Sequence, residues 1–94
     1  RLAGIVLSST SVQEAFDLGA EMARNTGPLA QIGAQVFGPA AAPIARIRGR
    51  HRVRLLVKAD KGAPIQAALA KWVAQFKVPT STRLQIDIDP QSFY

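Results

Sequence analysis

Strict alternation is clearest near the end of the chain. In Arg83–Asp89, RLQIDID, the residues Leu84, Ile86 and Ile88 fall to one side, and Arg83, Gln85, Asp87 and Asp89 to the other. A side-chain period of two is that of a half-buried β-strand, and Pro90 ends it. Arg1–Ser9, RLAGIVLSS, is apolar on both faces and too short for a helix, which predicts a central strand. Two segments carry the helical period instead. In Ser11–Arg24 an apolar stripe recurs at Val12, Ala15, Phe16, Gly19, Ala20 and Ala23, and Ser11 with Glu14 has capping-box spacing. Gly19 on that stripe points to a close approach to the sheet. Asn25, Gly27 and Pro28 terminate the helix. In Ala63–Phe76 the stripe is Ile65, Ala68, Leu69, Trp72, Val73 and Phe76, with Pro64 in the first turn.

Between the helices the pattern is less regular. Ile32–Phe37 alternates as a strand would, but Gly38-Pro39 and Pro43 break regular pairing, predicting a bulged edge strand or a loop. Gly49 then marks a hairpin turn or a bulge. After it, His51, Val53, Leu55 and Val57 would form a core face with one polar member, and arginines would occupy the other face. The order strand, helix, strand, strand, helix, strand predicts an α+β fold, the ferredoxin-like βαββαβ arrangement. That is a four-stranded antiparallel sheet with two helices on one face. The four C-terminal residues, QSFY, are a tail in which Phe93 and Tyr94 are candidates to dock back onto the body.

Charge adds a direction to this picture. The chain has 94 residues, fits one domain spanning 1–94, and carries net charge +6. Residues 1–45 sum to −1 and residues 46–94 to +7. Arg46–Lys61, RIRGRHRVRLLVKADK, holds seven of the 12 basic residues. Arg46, Arg48, Arg50, Arg52 and Arg54 recur at every second position, so an extended backbone would present them together. With Lys58 they form a candidate phosphate-contacting set for nucleic acid. Base stacking has less support: the aromatics lie mostly in helix stripes or the tail, and none interleaves with the arginines. An acidic peptide is a second class of partner. Its site would be the Lys58–Gly62 junction and the start of the second helix, where free N–H groups and Gln66 could take a carboxylate. A third reading is a regulatory or structural module whose arginines are tied up by Asp87 and Asp89 across the sheet.

Little points to catalysis. His51 is the only histidine and has no acid close in sequence. Asp87 and Asp89 could share a divalent cation but have no further ligands nearby in sequence. There is no cysteine, no P-loop and no G-x-G-x-x-G. No apolar run has the length of a membrane span and no leader pattern opens the chain. The first residue is Arg1 rather than methionine, which suggests a fragment of a longer protein.

Two blocks are more specific than composition. GPAAAPIARIRGRHRVRLLVKA, residues 38–59, and LQIDIDPQSF, residues 84–93, resemble the C-terminal domain of the bacterial primosomal protein N′ family, the PriA replication-restart helicases. The resemblance covers most of residues 36–93, and residues 1–35 fit the family's preceding strand and helix loosely. It implies a fold similar to ribosomal protein S10 and a bacterial, cytoplasmic parent with ATP-dependent 3′→5′ DNA helicase activity. ATP, magnesium and zinc would belong to other parts of that parent, so no cofactor and no catalysis are expected of this chain. It implies contact with branched or single-stranded DNA and with the parent's helicase core. It also implies a site for the acidic C-terminal tail of single-stranded DNA-binding protein, in which Lys61 and Gln66 match a basic residue and a glutamine of relatives. His51 stands where relatives often have an aromatic residue.

Overall fold

The structure, a computed structural model, describes residues 1–89. Its elements run β1 (Leu2–Ser9), α1 (Val12–Arg24), α2 (Gly27–Ala30), β2 (Gln35–Ile47), β3 (Arg50–Lys58), α3 (Ile65–Val73) and β4 (Thr82–Ile88). The strands form one antiparallel sheet in the order β2-β3-β1-β4. This is the α+β, βαββαβ-type architecture that the periodicities predict. β1 lies between β3 and β4, as its two apolar faces require. The proposed docking of Phe93 and Tyr94 lies outside the described residues.

Register sorts the side chains into two faces. Ile5 stands opposite both Leu55 and Ile86, and Leu7 opposite both Val53 and Leu84. These residues point toward the helices. Ala3, Ile5, Leu7, Val53, Leu55 and Val57 join Ala15, Leu18 and Met22 of α1 and Ile65, Ala68, Leu69 and Trp72 of α3 in one buried cluster. His51, the odd member of this face, is half-buried at its end. Ile86 remains 37% exposed although it has the core parity, so the helical layer does not fully cover β4.

α1 starts as its sequence indicates, with Ser11 Oγ accepting from the Glu14 amide at 3.2 Å. The capping box is one-sided. The Ser11 amide donates to Ser9 Oγ, and the Glu14 carboxylate accepts from Ser81 Oγ at 2.8 Å, tying α1 to the turn before β4. The buried stripe is also rotated from the expected one: it runs through Ala15, Leu18, Gly19 and Met22, while Val12 is 44% exposed. α1 packs this stripe on the sheet, and α3 meets its end through Trp72, which is fully buried and donates its indole N–H to the Met22 carbonyl at 3.1 Å. Gly19 does permit a close approach. A Cβ there would lie 2.8 Å from Pro39 Cβ on β2 and 3.5 Å from Leu7.

α2 is a single turn that the sequence pattern does not reveal. Pro28 stops α1 but suits the first turn of a new helix, and Leu29 is buried from it. β2 is an edge strand, bulged as predicted, but it begins later and runs much further than Ile32–Phe37. Its pairing with β3 slips between Phe37 and Ala40, at the cis Gly38-Pro39 bond, and again between Ala41 and Arg46. Gly38 has φ 105°, and a Cβ there would meet the Arg54 carbonyl oxygen at 2.8 Å, so only glycine lets β2 lie this close to β3.

Candidate functional site

The sheet face away from the helices is set by β3 and its neighbours. Arg52 and Arg83 both stand opposite Ser8, so the three form a row across β3, β1 and β4. The next row toward the other end is Arg54, Val6 and Gln85, and the one after is Leu56, Gly4 and Asp87. Arg50, Arg52 and Arg54 therefore project together, because residues two apart in a strand share a face.

The alternation does not extend to all five arginines, because the chain reverses within the run. Ile47 pairs with Arg50, leaving Arg48 and Gly49 as a two-residue hairpin loop. Both have positive φ, 51° and 77°, the signature of a type I′ turn. Past the turn the parity changes: Arg46 pairs with His51 and so belongs with the helix-side set. Arg48 rejoins the open face from the loop. Val6, Ser8, Ile47, Arg48, Arg50, Arg52, Arg83 and Gln85 line a shallow groove of about 220 Å³ at this end of the sheet.

The groove's guanidiniums have different tasks. Arg50 braces the fold: its Nη2 donates to the Ser8 carbonyl at 2.7 Å and the Ser81 carbonyl at 3.0 Å, joining β1 to the turn before β4. Arg52 makes one exposed bond, Nη1 to the Ile44 carbonyl at 3.2 Å, which holds the second β2 bulge. The side chains of Arg48 and Arg83 are exposed and make no hydrogen bond to other described residues. No carboxylate lies within ion-pair distance of Arg48, Arg52 or Arg83 among the described residues. Such a set can take an anion without first breaking an internal salt bridge.

Arg83 is the member that local pattern leaves out of the charged run. Its outward direction is legible from the β4 alternation, but its position beside Arg52 requires the strand order. Lys58 lies on the open face at the opposite end, across from Leu2 and Gln35, and lines a separate hollow of about 230 Å³ with Gly33, Gln35, Ala59 and Asp60. Lys61 and Gln66 are exposed around the start of α3, away from the arginine groove.

The two outward carboxylates do not form a metal pair. Asp87 sits in the row of Gly4 and Leu56. Asp89, with φ 50°, turns to accept from the Leu2 amide and pairs with Arg1 at 3.1 Å. The Leu2 amide bond, with the Arg1 guanidinium beside it, holds the Asp89 carboxyl below its ordinary value. Among the described residues no helix is long and apolar enough to cross a membrane.

Residues 1–91 match the model of the primosomal protein N C-terminal domain. The chain belongs to that family. It is 33% identical over 94 residues to the replication restart protein PriA of Rickettsia felis and likewise 33% to that of Rickettsia conorii, covering 100% of this chain and 14% of each relative. A PriA of Treponema pallidum is 30% identical over 59 residues, 63% of this chain and 9% of that relative. The chain thus corresponds to about one-seventh of the length of the Rickettsia relatives. The family match also reaches the first strand and helix, which the two sequence blocks alone leave loosely placed.

Proposed function

We propose that this chain is a DNA-contacting domain in replication restart, binding phosphates of branched or single-stranded DNA with little base preference. The observation that carries the reading is the convergence of Arg48, Arg52 and Arg83 on one groove, on the sheet face that no helix covers, with no carboxylate against them among the described residues. Guanidiniums are suited to this because their planar N–H fork matches two phosphate oxygens. Arg50 contributes by position: it fixes β1 against the β4 turn and so sets the spacing between Arg52 on β3 and Arg83 on β4. Arg54 and Lys58 extend the positive face toward its other end. Contacts to phosphate position a strand without reading its sequence.

The test is binding to fork and single-stranded DNA at two salt concentrations. Three neutralised phosphates on a single strand give a logarithmic salt slope of about −2. An affinity that ignores salt would overturn the reading.

A second surface fits a protein partner. The cap position of α3 is Pro64, with no side-chain hydrogen bond to the helix start, and Lys61 and Gln66 flank it. An uncapped helix N-terminus beside a lysine suits a terminal carboxylate. The partner this fits is the acidic tail of single-stranded DNA-binding protein. A tail peptide should lose most of its affinity to the double variant Lys61→Ala with Gln66→Ala, and unchanged binding would remove this surface from the proposal. The ATP-driven steps of a restart helicase would lie in the remainder of a longer chain, against which this domain would dock.

A further inference from the structure

The open face carries a large apolar side chain that the phosphate groove does not use. Phe37 is 50% exposed. Its neighbour Val36 packs against the core and Phe37 does not. Pairing with Leu56 puts Phe37 on the same face as Arg52, Arg54 and Lys58. Base stacking, which the sequence supports only weakly because no aromatic interleaves with the arginines, thereby gains one ring on their face. The strand register moves Phe37 there from a segment 13 or more residues earlier in sequence, beyond the reach of local pattern.

The backbone under this ring is fixed. Gly38 follows it directly, and the absence of a side chain there lets β2 lie close to the Arg54 carbonyl of β3 at the first bulge. With only two side-chain torsions to order, a phenylalanine loses little freedom when a flat partner stacks on it. Leu56 is four residues from Arg52 along β3, a separation of about 13 Å at the rise of an extended strand. A short piece of single strand can bridge from the ring to the arginine row. We infer that Phe37 is a stacking platform for an unpaired base of single-stranded DNA whose phosphates continue to Arg52 and Arg83.

This inference rests on the DNA reading above and adds a preference for unpaired strands over duplex. Charge and edge geometry favour a nucleic acid over a peptide. Guanidiniums share the face, whereas a peptide strand adding to β2 would need a regular edge. That edge is interrupted at Gly38-Pro39 and again between Ala41 and Arg46.

The experiment compares the 94-residue chain with Phe37→Ala and Phe37→Tyr on two probes of equal length, an oligothymidylate and a fully abasic oligonucleotide. The abasic strand keeps the phosphates and removes the rings. Phe37→Ala is expected to weaken oligothymidylate binding about tenfold, to leave abasic binding and the salt slope unchanged, and to be rescued by Phe37→Tyr. Equal affinities of Phe37→Ala and the parent chain for oligothymidylate, or equal losses on both probes, would overturn the stacking role. Salt-dependent binding that is indifferent to position 37 would remove stacking alone. Salt-independent binding of the parent chain would remove the DNA reading with it. Thermal unfolding of the three proteins checks that the fold is retained, and the tyrosine variant retains the ring should the alanine variant misfold.

Discussion

The two faces of β3 are built from residues that alternate in sequence, yet they answer to different physics. On one face Val53, Leu55 and Val57 are at most 1% exposed. There the driving term is removal of apolar surface from water, and volume and shape decide what fits. On the other face Arg52 and Arg54 are half-buried and Lys58 is exposed. Long side chains of this kind can cover a sheet with their aliphatic stems while keeping the charged end near water. A substitution on the first face should change stability, and one on the second should change what the protein binds. Arg50 departs from this division, because it lies on the cationic face but joins two parts of the fold.

The largest effect should come from the covered face. Trp72→Ala removes a fully buried indole and one of the two donors to the Met22 carbonyl, leaving the Asn25 amide. Denaturant unfolding should show a loss of about 3–5 kcal/mol. A loss under 1 kcal/mol would mean that α3 is not part of the cooperative core.

Arg50→Ala should come next. It deprives the Ser8 and Ser81 carbonyls of a shared donor, and we expect a cost of about 1–2 kcal/mol in the same unfolding measurement. DNA affinity should fall as well, because the brace sets the spacing between strands. If binding falls and stability does not, Arg50 belongs with the phosphate-contacting set instead.

Arg83→Ala sharpens the comparison from the other side. With no side-chain hydrogen bond to other described residues, it should leave stability within about 0.5 kcal/mol. The logarithmic salt slope for single-stranded DNA should shrink by about 0.7. A destabilisation as large as that of Arg50→Ala would blur the distinction between the two arginines.

The smallest effect is at Asp89, whose carboxyl is held below its usual value by the Leu2 amide and by Arg1. A depressed folded value means that the contribution is present above the unfolded value, near pH 3.9, and is lost as pH falls through the folded one. Asp89→Asn should therefore lower stability slightly at neutral pH and remove that part of the acid dependence. The pair is exposed, so added salt should weaken the difference. A pH profile of unfolding for both proteins checks it.

Element type was legible wherever a period persists over several residues. The alternation at Leu84, Ile86 and Ile88 and the stripe Ile65, Ala68, Leu69 and Trp72 gave β4 and α3 directly. The bounds of β2 were not legible, since Gly38, Pro39 and Pro43 argue against a continuous strand, and pairing with β3 carries the chain through them with two slips. The buried stripe of α1 shifted because small residues such as Ala20 and Ala23 do not distinguish a core face, whereas packing of Leu18 and Met22 into the common core does. Among site residues, Arg50, Arg52 and Arg54 were legible as one surface. Arg46 was not, because a reversal at Arg48-Gly49 changes parity.

The sequence by itself determined the kinds of elements, their order, the direction of the β3 arginines and the net positive charge, because these follow from periods of two and 3.6 and from composition. Tertiary structure alone decided that Arg83 lies across Ser8 from Arg52, that Phe37 shares their face, and that Arg50 is engaged with backbone carbonyls. Those facts depend on which strands become neighbours and in what register. Both are fixed by burial of the common core, a property of the whole chain that no local window contains.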